Sequence, residues 1–295
     1  MWVIYSLLSA LFGGMNGILA KFSLRKNDPA VVTALRTVVV LLIAWGAVAL
    51  GGVWQEIAGV SGNSLLLLLL SGVLTALAWL FYFRAMESGS VNRVAAVDKF
   101  STVLTLLGGW LFLGESMKAV KILSMAIITV GILLMIQKES TTVDNAKNDY
   151  SDRRAKGCWF LWSVLSVLAV SSSALLSKSG VEAVDPRLAL VIRTSVVLIL
   201  SASAVWWKCL KHGVWSVERK TMPYIALSGA ATGFGWLFLF RGLTGGDAGI
   251  VYSLDKLSIF VTAVLAKIFL GERLTLLGGI GLLLLSIGIV LLILV

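Results

Sequence analysis

The sequence predicts an all-α integral membrane protein of ten transmembrane helices, built as two inverted-topology five-helix repeats. Three observations predict it. Of 295 residues, 58% are apolar and only 14% charged, with a mean hydropathy of +0.95, whereas soluble domains carry about a quarter charged residues. Apolar windows of the roughly 20 residues that span a bilayer core recur along the chain. Finally, the chain repeats itself at one constant offset of 157 residues.

The windows place spans near 2–21, 30–50, 64–83, 95–113, 119–136, 159–177, 187–207, 222–240, 251–270 and 275–295. The first has no basic residue before it, and Lys21, Arg25 and Lys26 follow it. That order is the reverse of a secretory signal peptide, so it reads as a membrane helix. Connections are short except the polar stretch 138–157, which divides a first repeat (1–137) from a second (158–295). Asp28-Pro29 and Asp185-Pro186 each put a capping carboxylate before a proline at the first helical position.

The 157-residue shift superposes polar residues, not only apolar ones. Lys21 falls on Lys178, Arg36-Thr37 on Arg193-Thr194, and Trp79-Leu80-Phe81 on Trp236-Leu237-Phe238. Asp98-Lys99 falls on Asp255-Lys256, Ser101 on Ser258, and Leu113-Gly114-Glu115 on Leu270-Gly271-Glu272. Shared helical composition does not align charges, so the halves read as a duplication. Five helices are an odd number, so the second copy enters the membrane in the opposite sense, an arrangement used by alternating-access transporters.

Basic residues that repeat between the copies cancel as topology signals. The remaining loop charges gather on one face: Arg25, Lys26, Arg93, Lys138, Lys147, Arg153, Arg154, Lys156, Lys208, Lys211, Arg219, Lys220 and Arg273. Only Lys118, Lys121 and Arg187 fall on the other. The positive-inside rule puts the first face, and with it the linker, in the cytoplasm and both termini outside. The expected location is the inner membrane of a bacterium. The formal charge of +10 is thereby read as topology, and nucleic acid is not an expected partner.

Several chemistries are disfavoured. Cys158 and Cys209 form no metal or disulfide pattern, and His212 is the only histidine. No Walker-type phosphate loop is present, so ATP is not the energy source. No metal, cofactor or enzymatic activity is expected, and a monomer suffices.

Ionisable groups inside spans are costly and mark function by default. Asp98 and Asp255 head the candidates, since a short carboxylate cannot snorkel far and needs a partner. With Lys21, Arg36, Lys99 and Arg84 near one face, and Lys178, Arg193, Lys256 and Arg241 near the other, the expectation is one charge cluster at each mouth, forming two gates. Long basic chains near helix ends otherwise snorkel to headgroups, the expectation for Arg84, Arg241 and Lys267. Trp79 and Trp236 suit either a cavity wall or interfacial anchoring. Ser101, Thr105, Ser258 and Thr262 offer hydroxyls to a substrate or to neighbouring helices. Gly13 and Gly17 form a G-x-x-x-G close-packing motif, as do Gly229 and Gly233.

The stretch WLFYFRAMESGSVNRVAAVDKFSTVLT, ending in FLGESM, recurs as WLFLFRGLTGGDAGIVYSLDKLSIFVT, ending in FLGERL. The repeated unit resembles the EamA-type repeat of the drug/metabolite transporter superfamily over nearly the whole chain. The resemblance implies a ten-helix basket around a central cavity, with the fifth and tenth helices outside it. It also implies export or exchange of small metabolites such as amino acids, often proton-driven. It places Trp79, Asp98, Lys99, Ser101, Trp236, Asp255, Lys256 and Ser258 at or near the cavity. Well-known ten-helix members keep both termini in the cytoplasm, whereas the charges here argue the reverse, closer to a fusion of two five-helix relatives. The expected function is secondary transport of a small polar metabolite, with protons as a coupling ion. The alternatives are a lipid-carrier flippase, with Arg36 and Lys99 in a lateral groove, and a non-transporting membrane protein.

Overall fold

The computed structural model describes residues 1–23, 27–88, 94, 97–137, 153–212, 217–270 and 276–294. Outside them lie most of the linker, the loop cations Arg25, Lys26, Arg93, Lys138, Lys147 and Arg273, and Glu272. The side chains of Lys21, Arg153, Arg154, Lys156, Cys158, Lys208, Lys211 and His212 lie outside the description as well.

The described residues are mostly helical, with no strand among them. The first half holds α1 (Trp2–Ser23), α2 (Pro29–Gly51), α3 (Gly62–Ser88), α4 (Phe100–Leu113) and α5 (Ala119–Gln137). The second holds α6 (Arg153–Val181), α7 (Pro186–His212), α8 (Met222–Leu243), α9 (Ala248–Asp255), α10 (Ser258–Leu270) and α11 (Leu276–Leu291). Seven segments are long and apolar enough to cross a membrane, one of them Ala248–Phe269, which takes in α9 and α10. Three shorter apolar helices run over Phe100–Leu113, Ala119–Leu134 and Leu276–Leu291.

The two aspartate–proline pairs start their helices as their chemistry dictates. The Ala30 amide donates to Asp28 Oδ1 at 2.8 Å, and the Arg187 amide donates to Asp185 Oδ1 at 2.8 Å. Asp185 is also gripped by its own helix, Arg187 Nε and Nη2 standing 2.9 and 3.0 Å from its two oxygens.

Packing follows the offset. α1 lies against α8 and α10, and α6, its counterpart, lies against α3 and α4. α2 meets α7, and α5 meets α11. Every contact between helices of different halves in this set is matched by its exchanged partner. Leu106, Ile128, Ile132, Leu285 and Ile289 form one buried apolar cluster from both halves, linking α4, α5 and α11.

Small residues let these faces approach. The Gly13/Gly17 motif packs on α10, where a Cβ on Gly17 would stand 2.8 Å from Thr262 Oγ1. At the α5–α11 crossing a Cβ on Gly131 would come within 2.8 Å of the Gly281 carbonyl oxygen and the Leu285 amide nitrogen. Backbone cannot step aside as a side-chain tip can. Gly131→Leu is therefore expected to part the helices and cost about 1–3 kcal/mol, the usual range for overpacking. A lowered unfolding midpoint in detergent checks this, and an unchanged midpoint would refute the close crossing.

One expectation needs correction. The window 251–270 reads as a continuous helix, but the helix starts at Ala248 and is interrupted after Asp255. Tight turns bridge the gap: the Lys256 amide donates to the Ser253 carbonyl (3.0 Å), Leu257 to Leu254 (3.0 Å) and Ile259 to Lys256 (3.1 Å). Such i-to-i+3 bonds inside a helix mark strain or a hinge. The equivalent place in the first half is a turn at Lys99, just before α4. Both Asp–Lys pairs thus sit at helix interruptions.

Candidate functional site

Arg36 is the eighth residue of α2, Arg193 the eighth of α7, and Asp255 the eighth and last of α9. At 1.5 Å per residue each lies about 12 Å along its helix. The Asp–Lys pairs of the two halves meet, Asp98 Oδ2 standing 3.9 Å from Lys256 Nζ. This corrects the expectation of two separate clusters at the mouths, which put Asp98 and Asp255 at span ends. The structure brings both Asp–Lys pairs into one group.

Within it, Asp98 Oδ2 stands 3.8 Å from Lys99 Nζ and 3.9 Å from Lys256 Nζ, so one carboxylate is shared by the lysines of both halves. Asp255 Oδ1 instead accepts a hydrogen bond from Ser9 Oγ at 2.5 Å. Beside this group the two tryptophans meet, their ring centroids 6.1 Å apart. Arg36 lies over Trp79 at 5.6 Å, and Arg193 over Trp236 at 5.2 Å and Phe240 at 5.4 Å. The result is an Arg–Trp–Trp–Arg column spanning the two halves. Cation–π contacts of this kind stabilise by about 0.5–2 kcal/mol each, most when desolvated.

A cavity of about 270 Å³ opens beside the column. Of the sequence-derived candidates it is lined by Trp79, Asp98, Trp236, Asp255 and Lys256, and also by Arg193, which was expected at a gate. Lys99 adjoins it through Asp98. Ser101 and Ser258 are not in its wall. Ser101 is buried against α6, its carbonyl accepting from Ser171 Oγ at 3.1 Å, and Ser258 packs against Gly13. Lys178 also lies elsewhere. Its Nζ donates to the Leu243 carbonyl at 2.8 Å and stands 3.8 Å from Glu182, so it stabilises the C-terminal end of α8. The side chain of Lys21 is outside the described residues.

Residue-type reasoning missed Thr75, Ser173, Tyr82 and Tyr252 in the wall. Thr75 Oγ1 receives Arg193 Nη2 at 2.9 Å and lies 2.7 Å from Ser173 Oγ. The available signal was Asn16, a mid-helix amide that the offset pairs with Ser173. Asn16 Oδ1 accepts from Ser228 Oγ at 2.7 Å and from Arg36 Nη1 at 3.4 Å. Among the described residues, no three His, Cys, Asp or Glu side chains gather as a metal site.

A second polar cluster joins the halves at the Leu113-Gly114-Glu115 motif. Gly114 takes the left-handed conformation (φ 67°) that ends α4 and turns the chain back. Glu115 Oε1 then accepts from the Ala248 amide at 2.5 Å, capping α9 of the other half. Lys121, only 2% exposed, pairs with Asp247 at 2.7 Å beside it. Burial, and next the charge of Asp247, push the Glu115 carboxyl above the ordinary carboxylate range, against the Ala248 amide and Lys121. Its buried Oε2 has no hydrogen-bond partner among the described residues.

A raised carboxyl holds its proton more tightly in the folded chain. Its contribution is complete at low pH and declines as pH rises through the folded value. Glu115→Gln, which keeps the accepting oxygen, should flatten this decline in the unfolding midpoint measured between about pH 4 and pH 8. A wild-type slope in the variant would refute it.

Comparison with known proteins gives this site a setting. The pattern of the EamA-like transporter family matches residues 1–137 and again 157–294. The chain is similar to "Uncharacterized transporter in cobO 3'region" of a Sinorhizobium species, 39% identical over 134 residues, which are 45% of this chain and 95% of that protein. It is also similar to "Uncharacterized transporter YxxF" of Bacillus subtilis, 24% identical over 78% of this chain and 70% of that one. A solved crystal structure superposes with a TM-score of 0.77 over 99% of this chain and 97% of its own, at 13% identity, and so shares the fold.

Proposed function

The chain belongs to the EamA-like transporter family, a multi-pass membrane family of the drug/metabolite transporter superfamily, and on that premise we propose that it is a secondary transporter of a small polar metabolite. The family and its relatives' names point to a transporter rather than an enzyme. In this reading the seven long spans and three shorter apolar helices make ten crossings, as two five-helix repeats of opposite sense. The exchanged helix contacts favour that symmetry. The loop cations favour a cytoplasmic linker and outer termini, in a bacterial inner membrane, with export as the direction.

The observation that carries the proposal is the cavity of about 270 Å³ at the helix interruptions, lined by charges from both halves. Its wall is lopsided. Ser166 and Arg193 line it, while their counterparts Ser9 and Arg36 lie behind the wall, Ser9 bonded to Asp255 and Arg36 packed on Asn16 and Trp79. An inverted repeat caught with one copy open and one packed is what alternating access requires. Asp98 and Asp255 are the candidate proton carriers. A lipid-carrier flippase would turn Arg36 and Lys99 toward lipid, yet Arg36 covers Trp79 and Lys99 pairs with Asp98.

The test is substrate-dependent proton movement after a pH jump in proteoliposomes, using an amino-acid and organic-acid panel. Coupled flux lost in Asp255→Asn supports the proposal. Flux without proton movement reduces it to a uniporter or exchanger, and no flux of any candidate removes it.

A further inference from the structure

We propose that the cavity binds the carboxylate of a small organic acid with an apolar or planar body, and that Arg193 is its docking residue. This deepens the transporter reading and rests on it for the cavity's role.

Arg193 is 7% exposed, and the groups that hold it are neutral. Nη1 donates to Ser177 Oγ at 3.2 Å and Nη2 to Thr75 Oγ1 at 2.9 Å, and the guanidinium plane lies over Trp236 and Phe240. Among the described residues no carboxylate pairs with it. Asp98 is shared by the two lysines and Asp255 accepts from Ser9. Two buried donors in this wall have no partner among the described residues, Arg193 Nε and the Tyr252 hydroxyl.

A buried charge without a counterion is costly, and so is a buried donor left unmet. Among the described residues, Arg193, Lys256 and the adjoining Lys99 face Asp98 and Asp255 at the cavity, a formal surplus of one positive charge. An anion relieves both deficits at once. The rigid guanidinium fork suits a carboxylate better than a point charge does. Trp79, Trp236, Leu239 and Val170 supply an apolar and aromatic wall for the rest of the ligand. The subsite is single, because the counterpart Arg36 is absent from the wall and meets Asn16.

Equilibrium binding to purified protein in detergent tests this without requiring flux. Benzoate and indole-3-acetate are the probes, with benzamide and indole-3-acetamide as neutral isosteres. Saturable binding of at least one acid is expected, with its amide failing to compete. Arg193→Gln should weaken it by about tenfold or more, the scale of a charge-assisted contact. Arg193→Lys should recover part of the loss. Tyr252→Phe, which removes only one hydroxyl, should weaken binding by a smaller factor while preserving the fold. Equal competition by the amides, no saturable binding of either acid, or full affinity in folded Arg193→Gln protein would each overturn the inference. Acid binding without any transport in proteoliposomes would instead overturn the transporter reading and leave this one standing.

Discussion

Asp98→Asn is expected to destabilise the protein and abolish flux, the largest effect of any single substitution in the cavity. Asp98 Oδ2 is the carboxylate oxygen that Lys99 and Lys256 share, at 3.8 and 3.9 Å. Its loss leaves Arg193, Lys256 and the adjoining Lys99 with Asp255 as the one carboxylate in the described cavity wall. Removing one partner of a buried ion pair costs about 3–5 kcal/mol, and Asp98 belongs near the lower end because its pairs are long and partly solvated. Asp255→Asn should cost less stability. Its Oδ1 is held by the Ser9 hydroxyl, and an asparagine oxygen still accepts that bond. The measurement is an unfolding midpoint for both variants and for Asp98→Asn combined with Lys256→Met. The double variant removes a cation with the anion and should regain part of the lost stability, a coupling that a double-mutant cycle reads directly. Wild-type stability in Asp98→Asn protein would show that the lysines find other partners.

Much of this arrangement was legible in the sequence, and the limits of legibility are physical. The 157-residue offset and the paired Asp–Lys, Arg and Trp residues could be read directly, because polar identities inside apolar helices are too costly to coincide by accident. Which of those residues meet could not. It depends on where each helix starts, and a hydropathy window slid past Ala248 because the sequence 244–248 is small and polar. Three residues are only about 4.5 Å of helix, yet such a shift changes which side chains of the two halves meet. Ser101 and Ser258 show a second limit. Their spacing puts a hydroxyl on a helix, but neighbouring helices decide whether that face meets the cavity or Ser171 and Gly13. Glu115 shows a third, since the amide it caps lies in the other half of the chain.

Locking α1 to α10 is expected to stop transport reversibly, the second large effect. The cavity uses Ser166, Ser173 and Arg193, whose counterparts Ser9, Asn16 and Arg36 are packed away on the other side. If the two copies exchange roles during the cycle, the α1 side must open as the α6 side closes. Gly17 and Thr262 lie across the α1–α10 contact, and a Cβ on Gly17 would stand 3.6 Å from Thr262 Cβ. That separation falls in the range of about 3.5–4.5 Å that disulfides adopt. Gly17→Cys with Thr262→Cys, made with Cys158 and Cys209 replaced by serine, should therefore crosslink on mild oxidation. Flux in proteoliposomes should fall to background when oxidised and return on reduction, while each single cysteine variant ignores the oxidant. A fully crosslinked protein that still transports would mean that α1 and α10 move as one body. The Ser9–Asp255 contact would then be a fixed brace, and the lopsided wall a permanent feature of the cavity rather than one half of a cycle.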